Sequence, residues 1–107
     1  MSSHNLFENL PDKPLPDEVF ETLLTGAGFK LERIITTGQI TPESEWYDQA
    51  QDEWVLLLQG HATLVFEDGK EEKLKPGDYL FIKAHDRHRL SWTSPDEVCV
   101  WLAFHIK

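Results

Sequence analysis

A single cysteine, Cys99, removes any intrachain disulfide from consideration and suits a reducing compartment. It sits inside the apolar run VCVWLAF, where a small buried hydrophobe is expected rather than a nucleophile. Long apolar runs are missing too. None approaches the roughly 18 residues that a membrane span needs. The opening MSSHNLFENLPDKP also lacks the apolar core of a signal peptide. The expectation is a soluble, cytoplasmic protein. Positive charge is scarce, with 10 Lys and Arg against 19 Asp and Glu and a net charge of −9. Such a chain repels phosphate backbones and anionic bilayers, which argues against nucleic acid and membrane as partners. Solubility is the plain consequence of the acidity. No serine has a G-x-S-x-G context, no C-x-x-C pair exists, and no glycine-rich loop is built to cradle phosphate.

What is present is enough for one compact domain. The chain has 107 residues, 40% of them apolar, with four Trp, so it can bury a real core. Residues 1–16 carry three of the six prolines and read as an extended arm, leaving 17–107 as the domain. The stretch PDEVFETLLTGAG reads as a short helix, started by Pro16 and Asp17 and ended by Gly26 and Gly28. Beyond Gly28 no long helical period recurs. FKLERIITT alternates Phe29, Leu31, Arg33 and Ile35 against Lys30, Glu32, Ile34 and Thr36. WVLLLQ is a continuous apolar run, as in a strand buried on both faces. HATLVFE, KEEKLK, YLFIKA, RHRLSWT and VCVWLAFHI follow, punctuated by Asp68-Gly69, Pro76-Gly77-Asp78 and Ser94-Pro95-Asp96. Six to eight short strands with turns every 8 to 12 residues predict an antiparallel barrel or sandwich.

Two stretches, DEWVLLLQGHATLVFEDG and LKPGDYLFIKAHDRHRLSW, resemble the cupin superfamily. Its first motif is written G(X)5HXH(X)3-4E(X)6G and its second G(X)5PXG(X)2H(X)3N. Glu53, six residues and Gly60 fit the end of the first; Gly77, ten residues and His88 fit the second. The resemblance covers roughly Phe29 to His105. It implies an all-β, cupin-type double-stranded β-helix, a jelly-roll barrel, here with a short N-terminal helix. The departures bear on chemistry. No histidine stands where the first motif has HXH; the pair falls on Trp46 and Asp48 or, with the shorter gap, on Tyr47 and Gln49. In the second motif Lys83 replaces the proline, His85 the second glycine and Trp92 the asparagine.

The usual three-His, one-Glu metal site is therefore replaced. A site of other composition, drawn from Asp48, Glu53, His88 and His85, is expected to hold a divalent ion such as Mn, Fe, Ni or Zn, with hard ions such as Mn and Mg suited to its carboxylates. Glu53, set beside Val55 and Leu57, is costly on an interior face unless bound or paired, and Arg33 is the alternative partner. Tyr47, Gln49, Trp46, Arg33 and His105 complete the candidate ligand-binding set, with Trp46 and Tyr47 placed to stack on a planar or sugar ligand. His61 and His4 read as surface residues. Two functions follow. One is a metal-binding enzyme of isomerase, cyclase, hydrolase or dioxygenase type acting on a small polar metabolite. The other is a metal-free barrel that binds or senses a small molecule. Small cupins often pair through exposed edge strands, so the resemblance also implies a homodimer.

Overall fold

The computed structural model describes residues 2–107 and is built from eight antiparallel strands. These are β1 (Val19–Gly26), β2 (Phe29–Thr36), β3 (Asp52–Gln59), β4 (Ala62–Phe66), β5 (Glu71–Leu74), β6 (Tyr79–Ile82), β7 (His88–Thr93) and β8 (Cys99–Ile106). They form a five-stranded sheet in the order β1-β2-β8-β3-β6 and a three-stranded sheet in the order β5-β4-β7. The jelly-roll expectation holds.

The two sheets close over one core because the strands alternate. Glu53, Val55 and Leu57 of β3 are buried, while Trp54, Leu56 and Leu58 between them are only half-buried. The period of two divides what the sequence shows as one apolar run. Val55 and Leu57 meet Ala62, Leu64, Ile82, Leu90 and Trp101 in the core. Trp54 instead faces outward, its ring 5.4 Å from that of Tyr79.

The short N-terminal helix is not found; among the described residues there is no helix at all. Val19–Gly26 is an edge strand that folds back on β2 through the two residues Ala27 and Gly28. Its apolar residues serve either period. The ladder to β2 decides for the strand, with the register shifting between Thr22 and Leu24 to absorb one extra residue. Ahead of β1, a turn at residues 6–9 lies against β2. Arg33 donates from Nη1 to the carbonyls of Leu6 at 3.0 Å and Glu8 at 2.7 Å, and from Nη2 to Glu21 at 2.7 Å. No helix of the described residues is long and apolar enough to cross a membrane.

Candidate functional site

Inward-facing side chains of the two sheets do not fill the barrel. They leave a cavity of about 250 Å³. Ile34, Val55, Leu64, Ile82, Leu90 and Trp101 form its apolar walls. Tyr47 and Phe20, 40% and 55% exposed, mark its mouth. Glu18, Glu32, Gln49, Glu53, His88 and His105 supply the polar groups.

These polar groups fall into two linked sets. In the first, Gln49 Nε2 donates to Glu53 Oε1 at 3.1 Å. His105 Nε2 lies 2.7 Å from Glu32 Oε1 and 3.7 Å from Glu53 Oε2. Carboxylate oxygens accept, so Nε2–H of His105 is the donor between them. These bonds offset the cost of burying Glu53 beside Val55 and Leu57. The second set runs from the core to the mouth. Trp101 Nε1 donates to Thr36 Oγ1 at 3.1 Å, and Thr36 Oγ1 stands 2.7 Å from Glu18 Oε2. An indole N–H only donates, so the threonine accepts from it and turns its single proton to Glu18. Glu18 Oε1 faces the Tyr47 hydroxyl at 3.5 Å. Burial raises the Glu18 carboxyl above its ordinary value, partly opposed by the Thr36 and Tyr47 hydroxyls. Burial, then the negative charge of Glu18, raises the Tyr47 phenol.

His88 stands between the two sets and is 4% exposed. Its Nδ1 lies 2.8 Å from the Asp86 carbonyl, which can only accept, so the neutral ring carries its proton there. In that neutral tautomer Nε2 is a lone-pair acceptor in the cavity wall. The backbone fixes this orientation. Tyr47 and His88 form an isolated β-bridge, Tyr47 N to His88 O at 2.7 Å and His88 N to Tyr47 O at 3.1 Å.

Beside this bridge Tyr47 and Gln49 line the cavity, and Trp46 and Asp48 do not. Trp46 lines a separate groove with Ile40 and Pro42, its ring 5.6 Å from the Arg89 guanidinium. Asp48 is exposed and binds His85 Nδ1 at 2.8 Å, so that pair sits at the rim. Arg33 is on the opposite face of β2, turned toward Glu21 and the N-terminal segment. It is neither a cavity residue nor the partner of Glu53, because strand alternation sends Glu32 and Ile34 inward instead. Sequence reasoning did not pick out Glu18 or Glu32 as site residues. The signal for Glu32 was present, a carboxylate on the same strand face as Ile34 and Thr36.

The set Asp48, Glu53, His88 and His85 is thus divided between cavity and rim. Among the described residues, no three His, Cys, Asp or Glu side chains gather closely enough to hold a metal. Of the motif candidates, Tyr47, Gln49, Glu53 and His88 line the cavity. This set does not fit a resident divalent ion: Gln49 turns its amide NH2 to Glu53, and Tyr47 offers a phenol rather than an imidazole.

A jelly roll with an inward pocket and the two spaced motifs define the class, and the chain belongs to the cupin domain family, whose model matches residues 32–105. Cupin proteins commonly bind metals, and their barrels suit small molecules. The chain is similar to the crystal structure of "a putative mannose-6-phosphate isomerase" from Ralstonia eutropha JMP134, at 44% identity and a TM-score of 0.94, over 100% of this chain and 99% of that one. It also resembles the polyketide cyclase RemF from Streptomyces resistomycificus, at 19% identity and TM-score 0.74, over 99% of this chain and 79% of that one. An RmlC-like cupin protein from Desulfovibrio desulfuricans matches at 18% identity and TM-score 0.70, over 98% and 96%. The last two likenesses show the fold alone. No curated protein matches the chain in sequence.

Proposed function

We propose that this cupin binds a small polar metabolite in its barrel without a resident metal, with His88 Nε2 and the Glu18–Tyr47 pair facing the ligand from different sides. One observation carries the reading: a lone-pair imidazole nitrogen and buried carboxylates converge on an otherwise apolar cavity. Groups so placed can accept a proton at one atom of a ligand and return one at another, the chemistry of isomerisation or cyclisation. The volume, just under the roughly 300–1,000 Å³ of common ligand pockets, suits a metabolite of a few carbons. A phosphosugar, as the description of the Ralstonia protein would suggest, is disfavoured because no Lys or Arg is among the lining residues. We also propose a homodimer, since the edge strand β6 exposes Tyr79 and Phe81 beside Trp54.

Elemental analysis of tag-free protein, after incubation with Mn2+, Fe2+, Ni2+ and Zn2+ and dialysis, tests the metal half. Well under one equivalent of any metal is the expected result. Near-stoichiometric metal that is lost in His88→Ala would overturn the metal-free reading.

A further inference from the structure

The charges and hydrogen-bonding roles around the cavity narrow the ligand further, and this narrowing rests on the small-molecule reading above. Glu32 is matched, with His105 Nε2 at one oxygen and Lys30 Nζ 3.4 Å from the other. Glu53 has the Gln49 amide and, at 3.7 Å, only a share of His105. Glu18 faces nothing but the neutral hydroxyls of Thr36 and Tyr47. His88 Nε2 is a further acceptor, on a side chain only 4% exposed and lining the cavity, and it has no hydrogen-bond partner among the described residues. The donors around these groups are already committed. Trp101 N–H goes to Thr36, His105 N–H to Glu32, and one Gln49 N–H to Glu53. An acceptor-rich cavity with two carboxylates lacking a full cationic partner calls for a guest that brings donors and positive charge. The rings of Phe20 and Tyr47 at the mouth add π faces that favour the same sign.

We infer that the barrel is selective for a small organic cation, an ammonium or amidinium compound of a few carbons, held between Glu18, Glu53 and the open Nε2 of His88. Its N–H groups find acceptors among these side chains, and its short carbon chain rests on Ile34, Val55 and Leu90. Anionic metabolites are refused by the same carboxylates.

Three probes of near-equal size test the charge rule: 3-amino-1-propanol, 1,4-butanediol and 4-hydroxybutyrate. Each is titrated into 15N-labelled protein at constant ionic strength, following the amides of Glu53, His88 and His105 and the Trp101 indole. The amine is expected to bind at least tenfold more tightly than the diol, and the anion to leave the spectrum unmoved. Both Glu18→Gln and Glu53→Gln should shrink the preference for the amine. Glu18 lies ahead of β1 and half-exposed, so its variant keeps the test open if the buried Glu53 change disturbs folding. Equal binding of amine and diol, or tighter binding of the anion, would overturn the cation inference and leave the small-molecule reading standing. If none of the three probes moves a cavity signal, both readings fall.

Discussion

His85 holds a backbone angle that residues other than glycine rarely adopt. It occupies the second-glycine position of the second cupin motif, and its φ is +64°, the left-handed conformation that glycine adopts at little cost. Both His85→Gly and His85→Ala lose the exposed pair with Asp48, so their difference isolates the angle. The glycine variant is expected to be the more stable by about 1 kcal/mol in urea denaturation. Glu18 makes a second test at this scale. Burial raises its folded value above the ordinary 4.5, so the stability it contributes is full below that value and is lost as pH rises through the raised one. Glu18→Gln should therefore gain on the wild type between pH 4 and 7, measured by thermal melts across that range. A wild type that gains instead would mean that the fold stabilises the carboxylate. Glu53 and His88 were legible from motif spacing alone. Asp48 is a carboxylate close to the motif, but one residue of register sends it away from the cavity, and no spacing rule reveals which of two adjacent residues faces inward. Glu18 lies outside both motifs and reaches the cavity only through tertiary folding.

Elements were legible where turns punctuated them. The strands after Gly28 follow from alternation or, for β3, from a continuous apolar run whose alternating burial only the structure shows, and Asp68-Gly69 and Pro76-Gly77 mark real reversals, with φ of +94° at Gly69 and +95° at Gly77. The misread element is β1, whose Phe20, Leu23 and Leu24 fit a helical face as well as a strand. No local signal shows that β2 offers it a free edge. The β3–β4 reversal explains why the first motif ends on glycine. Gly60 has φ +87°, and a Cβ there would stand 2.5 Å from Cys99 Sγ and 3.0 Å from Cys99 Cα. Both angle and space require glycine. Gly60→Ala is expected to cost about 2 kcal/mol or more, seen as a fall in Tm on the order of 10 °C. A melt within 2 °C of wild type would show that the hairpin can shift away from β8.

At the scale of the whole molecule, the Cα radius of gyration is 13.7 Å, close to the roughly 13 Å of a compact chain of this length. That compactness concerns one copy. The outer face of the five-stranded sheet leaves Tyr79, Phe81 and Ile106 open at 66%, 49% and 37% exposure. If this face carries the proposed homodimer, sedimentation equilibrium should return twice the 12.4 kDa chain mass. A Tyr79→Glu, Phe81→Glu double variant should return the single chain. A wild type that sediments at 12.4 kDa up to high micromolar concentration would remove the dimer.

The bond from Trp101 to Thr36 reaches beyond hydrogen-bond satisfaction. Of the four tryptophans, only Trp101 is buried, at 4% exposure, and its ring forms part of the cavity wall while its N–H leads to Glu18. An indole in that position emits at shorter wavelengths than its three wetter counterparts, so the blue edge of the fluorescence spectrum belongs to one wall of the cavity. The protein thus carries its own optical gauge of occupancy. Any compound that enters the barrel, charged or not, can be sought in unlabelled material by watching that edge alone.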